Sequence, residues 1–224
     1  MELQELEYLV QQGEGQALEF KLKASFPEKI VKEMVAFANS SGGQLLVGVD
    51  DDHRIAGLKF AEEEQFILEK AIKTHARPGI RYQSRFIPVN RKRSVLYFNV
   101  FENRKKPSYY LEDPNKRGKA YVRIDDKSVQ ASRELVEIMR RKSMKKSYPV
   151  QVGEKEQMLF QYIEAHGKAT LADFMELSGL SRYKASQILV RLAVSNILKV
   201  HPGEGVDYFS MKITTEYESE SKHC

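Results

Sequence analysis

The feature that most restricts this chain is the run QLLVGV at residues 44–49, closed in front by Gly42-Gly43 and behind by Asp50-Asp51-Asp52. A short continuous apolar run between turn signals reads as a strand buried on both faces, so it needs covering layers above and below. The residues before it supply candidates. In residues 17–22, ALEFKL, Leu18, Phe20 and Leu22 alternate with Glu19 and Lys21, the period of a half-buried strand whose polar side carries an acid and a base. Ser25 as N-cap and Pro27 in the first turn then open a helix with Ile30, Met34, Val35, Phe37 and Ala38 as its apolar stripe. Residues 39–43, NSSGG, end that helix with types that tolerate left-handed backbone. Leu3, Leu6, Leu9 and Val10 place a further helix at the start, stopped by Gly13. Gly48 within the buried run implies a close backbone neighbour.

Downstream, residues 61–75 have the spacing of a second amphipathic helix, and two long alternating runs, 80–89 and 94–101, flank the basic turn 90–93 as a β-hairpin. A polar loop at 103–119, a strand at 120–124 and a helix capped by Ser132 complete this part. The expected architecture is α+β, a mixed and largely antiparallel sheet with flanking helices, over residues 1–146. A charged, then Pro- and Gly-punctuated linker at 147–153 follows.

Beyond the linker the pattern changes. Residues 155–166 read as a helix broken by Gly167, Thr170 caps a second helix, 178–180 form a tight turn, and Ser181 caps a third from Arg182 onward. Two short strands around residues 202–205, PGEG, then give the pattern of a small winged helix-turn-helix domain at 154–211. Its third helix would leave Arg182, Tyr183, Lys184, Gln187 and Arg191 exposed, types suited to phosphates and base edges. Docking to protein is the alternative for this module. The polar tail, 212–224, is expected to be disordered.

Charge divides unevenly. Residues 1–146 hold 28 Lys/Arg against 21 Asp/Glu, and residues 147–224 hold 8 against 10. The basicity lies in clusters: Arg91-Lys92-Arg93, Arg104-Lys105-Lys106, Lys116-Arg117 with Lys119, and Arg140-Arg141-Lys142 with Lys145-Lys146. Such clusters are what a phosphate backbone requires, and solvated loop tips are the plainer reading of each. Arg123, in the 120–124 strand, joins the candidate contacts. The single cysteine, Cys224, excludes an internal disulfide, and no apolar run approaches the roughly 20 residues of a membrane span. With no basic, apolar signal-like start, the expected location is cytoplasmic. The five histidines lack zinc spacing, and no G-x-x-x-x-G-K-[ST] loop is present, which argues against an ATPase.

Residues 14–58 also carry a resemblance. Glu14 and Glu19 through Phe20-Lys21, the AFAN of residues 36–39 with Gly42-Gly43, and Gly48-Val49 followed by the aspartates and residues 55–57, IAG, resemble the AlbA-type DNA-binding domain of the schlafen family. Pro78, Lys106-Pro107, residues 121–124, YVRI, and Ala131 are similar to its later motifs, so the likeness spans roughly residues 10–140. The resemblance implies a nucleic-acid-binding protein, a transcriptional regulator where a winged helix follows, with DNA or structured RNA as partner and no cofactor. Schlafen cores have two related lobes and this chain has one, which implies a homodimer. The resemblance also implies an alternative, a metal-dependent endoribonuclease of structured RNA. Glu14, Glu19 and Asp51 would then bind Mg²⁺ or Mn²⁺, with Lys21 steadying phosphate. The acids have simpler explanations: Glu19 as the partner of Lys21 or Arg123, and Asp50-Asp51-Asp52 as a strand-ending turn.

Overall fold

The structure, a computed structural model, describes residues 2–144 and 151–212. The chain divides into two compact units, residues 1–131 and 132–224.

The first unit runs α1 (Leu3–Gln11), β1 (Leu18–Lys21), α2 (Pro27–Asn39), β2 (Gly43–Val47), α3 (Ala61–His75), β3 (Ala76–Arg77), β4 (Arg81–Asn90), β5 (Arg93–Phe101), β6 (Tyr109–Tyr110), β7 (Tyr121–Ile124) and β8 (Lys127–Gln130). Its main sheet has the order β1-β2-β5-β4, with β1 parallel to β2 and the other pairs antiparallel. This is the mixed α+β class expected. β2 is internal to the sheet, as its apolar run demands, and both its faces are covered. Leu45 and Val47 pack with Met34, Val35, Phe37 and Leu68 of α2 and α3, whereas Leu46 packs with Leu6 and Val10 of α1. Helices on both sides of one apolar strand remove it from water, the dominant favourable term for such a layer.

Several expectations change in detail. α2 is capped at Phe26 with no side-chain hydrogen bond, not at Ser25, and Pro27 takes its first turn. Glu19 and Lys21 do share a face of β1, but it is not a solvated face, since Glu19 is buried. The end of α2 shows why two consecutive glycines stand there. Gly42 has φ +83° and lies so close to β5 that a Cβ would stand 2.7 Å from the Val100 carbonyl oxygen. At Gly43 a Cβ would meet the Phe37 ring at 2.2 Å. The pair lets the chain turn against its own helix and enter β2.

The second unit contains α4 (Arg133–Ser143), α5 (Glu154–His166), β9 (Ala169–Thr170), α6 (Leu171–Ser178), α7 (Arg182–Val194), β10 (Leu198–His201) and β11 (Tyr208–Met211), with a small sheet ordered β10-β11-β9. Gly167 and Gly179 close α5 and α6 in left-handed conformation, and Thr170 accepts the Asp173 amide to cap α6. The expected boundary near residue 146 and the observed division differ by one helix. α4 sits with the second unit because Ile138 joins the core formed by Leu159, Phe174, Leu189 and Val190. Polar ties reinforce this: Ser186 donates to Glu134 at 2.7 Å, and Arg141 donates to Gln187 at 3.0 Å. The expected linker falls partly, and the expected tail almost wholly, outside the described residues, as do Lys145 and Lys146.

Candidate nucleic-acid interface

Two kinds of charged region occur in the first unit, and they are built differently. One is a buried network on β1, α2 and the β7–β8 hairpin. The Arg123 side chain has no exposure, and its Nη1 donates to Glu19 Oε2 at 2.9 Å, to Glu33 Oε2 at 3.1 Å and to the Ser128 hydroxyl at 3.3 Å. Its Nη2 donates to the Gly15 carbonyl at 2.7 Å, and the guanidinium lies 4.8 Å from the Phe37 ring centroid. Arg123 Nε has no hydrogen-bond partner. Lys21 completes the set, donating to Glu19 Oε1 and, at 2.7 Å, to the Phe20 carbonyl. Glu19, itself buried, thus lies between the enclosed Arg123 and the half-exposed Lys21, and the partly buried Glu33 lies between Arg123 and Lys32 at 4.0 Å. Glu33 and Ser128 were not foreseen, since their partner lies 90 and 5 residues away along the chain and neither belongs to a motif.

This network explains the AFAN pattern as well. Asn39, buried at the end of α2, donates to the Ser108 and Tyr121 carbonyls at 2.8 and 2.9 Å and accepts the Ser108 amide at 2.7 Å. The following Ser40 accepts the Arg123 amide through its hydroxyl at 2.9 Å and the Lys106 ammonium through its carbonyl at 2.6 Å. Lys106 also pairs with Glu102 at 2.7 Å. Arg123 and Lys106, both expected on phosphates, are therefore structural cations that hold the helix end against the loop and the β7 strand.

The acids do not fit a divalent cation. Both Glu19 oxygens are taken by cations, Glu14 Oε1 accepts the Phe20 amide at 2.7 Å, and Asp51 stands on an exposed turn. Among the described residues no three His, Cys, Asp or Glu side chains group as a metal-holding set. Asp50 instead accepts the Asp52 and Arg54 amides at 3.0 and 2.8 Å, the strand-ending turn.

The second kind of region is exposed. Arg91 and Lys92 form the tip of the β4–β5 hairpin, and Arg104, Lys105, Arg117 and Lys119 lie on the loops beyond β5. Among the described residues none of these six has a carboxylate partner. Arg93 is partly committed, donating to the Ala56 and Gly57 carbonyls at 3.2 and 2.9 Å, and Lys116 faces Asp113 at 3.6 Å.

In the second unit Arg182, Tyr183 and Lys184 are exposed on the first turn of α7. Gln187 and Arg191 are not free in this way: Gln187 accepts from Arg141, and Arg191 donates to Glu156 at 2.5 Å. The Arg140 and Arg141 guanidinium groups hold the Glu137 carboxyl down to about 2. Burial pushes the Asp207 carboxyl up, against the hydrogen bonds from Ser132 and the Gly203 amide.

The pattern of the family described as Schlafen, AlbA_2 matches residues 14–132, more than half of the chain. No curated protein matches. Among solved structures, the DIP2311 protein from Corynebacterium diphtheriae is similar at 18% identity, with a TM-score of 0.43. That similarity covers 79% of this chain and 32% of the other, so this chain spans about a third of its length.

Proposed function

Because the chain belongs to the Schlafen, AlbA_2 family, we propose that it is a nucleic-acid-binding protein that grips phosphates with the exposed cations of its first unit. The observation that carries this is the set of six exposed Lys and Arg side chains at the β4–β5 tip and the neighbouring loops, none with a carboxylate partner among the described residues. Cations without a carboxylate partner keep their full charge available for displacing counterions from a phosphate backbone. The buried network holds its own charges in balanced pairs and serves the same region as a frame.

The finer reading is a transcriptional regulator whose second unit is a winged helix-turn-helix. Three helices followed by a hairpin support it, with Arg182, Tyr183 and Lys184 presented at the start of the third. A homodimer is the assembly this reading expects, and a monomer by light scattering would remove it.

The test is a titration of affinity for duplex DNA and for structured RNA against salt. Binding that weakens steeply with salt, with log K falling by about 0.9 per neutralised phosphate for each tenfold rise in salt on duplex DNA, is expected. A slope near zero would mean that these cations do not meet phosphates.

A further inference from the structure

The main sheet has one face covered by α2 and α3, and another that α1 covers only in part. Strand register shows what the rest of that second face carries. Arg81 lies opposite Phe101, Gln83 opposite Asn99 and Arg85 opposite Tyr97, and Asn99 in turn lies opposite Gln44 of β2. Alternation places all of these on the α1 side, because Tyr82, Phe98 and Val100 between them pack on the opposite core. The result is three rows: an arginine with a phenylalanine, three side-chain amides, and an arginine with a tyrosine.

Two features make this face unlike an ordinary solvated sheet. The Arg85 guanidinium lies over the Tyr97 ring, 4.8 Å from its centroid, and that of Arg81 lies over the Phe101 ring at 5.6 Å, so each cation is set against an aromatic side chain. Along the α1 edge, Gln4, Tyr8 and Gln12 recur one turn apart and, with Gln44 and Arg85, line a groove of about 550 Å³. Tyr8 is 67% exposed. Gln44 Oε1 accepts the Tyr97 hydroxyl at 3.2 Å, which leaves its NH₂ group as a donor. The one carboxylate lining the groove, Glu5, accepts the Glu2 amide at 2.8 Å as part of the α1 cap, and its charge is also felt by Arg85 across the groove.

We propose that this face binds an unpaired nucleic-acid strand, with bases stacked on Tyr8 and the Arg85 guanidinium and base edges met by the amide row. The inference rests on the nucleic-acid reading above and adds a second mode to it. Stacking planes and amides are chemistry for base faces and edges, which a duplex keeps inside its stack and an unpaired strand offers. The two arginines match the charge of its backbone.

The experiment uses the full chain and fluorescence anisotropy with three probes: a ten-nucleotide oligo-rA, the same length of oligo-dA, and a duplex DNA. Tyr8→Ala and Arg85→Gln should each weaken binding of an unpaired probe roughly tenfold, the order of one lost base stack, and leave duplex affinity within about twofold. Tyr8→Phe, which keeps the ring, should bind as the parent does. Loss on oligo-rA alone or on both unpaired probes supports the proposal and separates RNA from any single strand. If the parent binds and neither variant differs from it, the face has no part, although the nucleic-acid reading stands. Equal loss on duplex and unpaired probes overturns the base-stacking mode. A dimer that Tyr8→Ala makes monomeric without altering probe affinity assigns the face to a second copy. A parent that binds no probe ends both readings.

Discussion

Arg123 and the Arg91-Lys92 hairpin tip are basic regions of one unit in opposite settings. At the tip, two cations stand in water without a carboxylate among the described residues, and each costs almost nothing to keep charged. Arg123 has no exposure, and its charge persists there because Glu19, Glu33 and a backbone carbonyl surround it. The setting decides what each region is able to do. A cation with no exposure, whose Nη1 and Nη2 are both engaged by the protein, is out of reach of a phosphate, so Arg123 fixes geometry and the tip is free to bind.

The contrast yields predictions of decreasing size. Arg123→Ala should be the most damaging, because it leaves the buried Glu19 with only the half-exposed Lys21 and the partly buried Glu33 with only Lys32 at 4.0 Å. A loss of about 3–5 kcal/mol in urea unfolding is expected, and a loss under about 1 kcal/mol would show that water reaches the network. Asn39→Ala, which removes three hydrogen bonds from a buried helix end, should cost about 2–3 kcal/mol by the same measurement. Arg91→Ala with Lys92→Ala should do the reverse of Arg123→Ala. Stability should stay within about 0.5 kcal/mol, while the salt slope of DNA binding falls by roughly one to two. An unchanged slope would remove the tip from the interface.

The smallest effect concerns Glu137, whose carboxyl is held at about 2 by Arg140 and Arg141. A depressed acid contributes stability that is present above its unfolded value of 4.5 and lost as pH falls toward about 2. These are surface ion pairs, so the Glu137→Gln variant should differ from the parent by no more than about 1 kcal/mol at pH 7 and converge with it near pH 2. Persistence of the difference at pH 2 would point to a packing role instead.

Much of this architecture follows from local chemistry. The QLLVGV run between Gly42-Gly43 and the aspartates specifies an inner strand, the alternation at 80–101 specifies the β4–β5 hairpin, and Thr170, Gly167 and Gly179 punctuate the helices of the second unit. Periods of two and 3.6 and the capping groups act over a few residues, and a few residues are all they need. The exposed tip cations were equally legible, since a hairpin turn is at the surface whatever the sheet does.

The fates of Arg123, Glu19 and Lys106 were not. Arg123 meets Glu19 and Glu33 across 104 and 90 residues, and Lys106 reaches Ser40 across 66. Nothing local distinguishes an arginine that will be enclosed from one that will stay in water. The notion that Glu19 pairs with Lys21 or Arg123 was available from the chain, and the fold joins it to both. Likewise, alternation alone put Arg81, Gln83 and Arg85 on one side of β4. Pairing with β5 and β2 set them beside Phe101, Asn99, Tyr97 and Gln44, and the short reach of α1 left that side open. Local periodicity decides which residues share a face; only the assembled layers decide whether that face is core, frame or binding surface, because burial and partnership depend on what arrives from far along the chain.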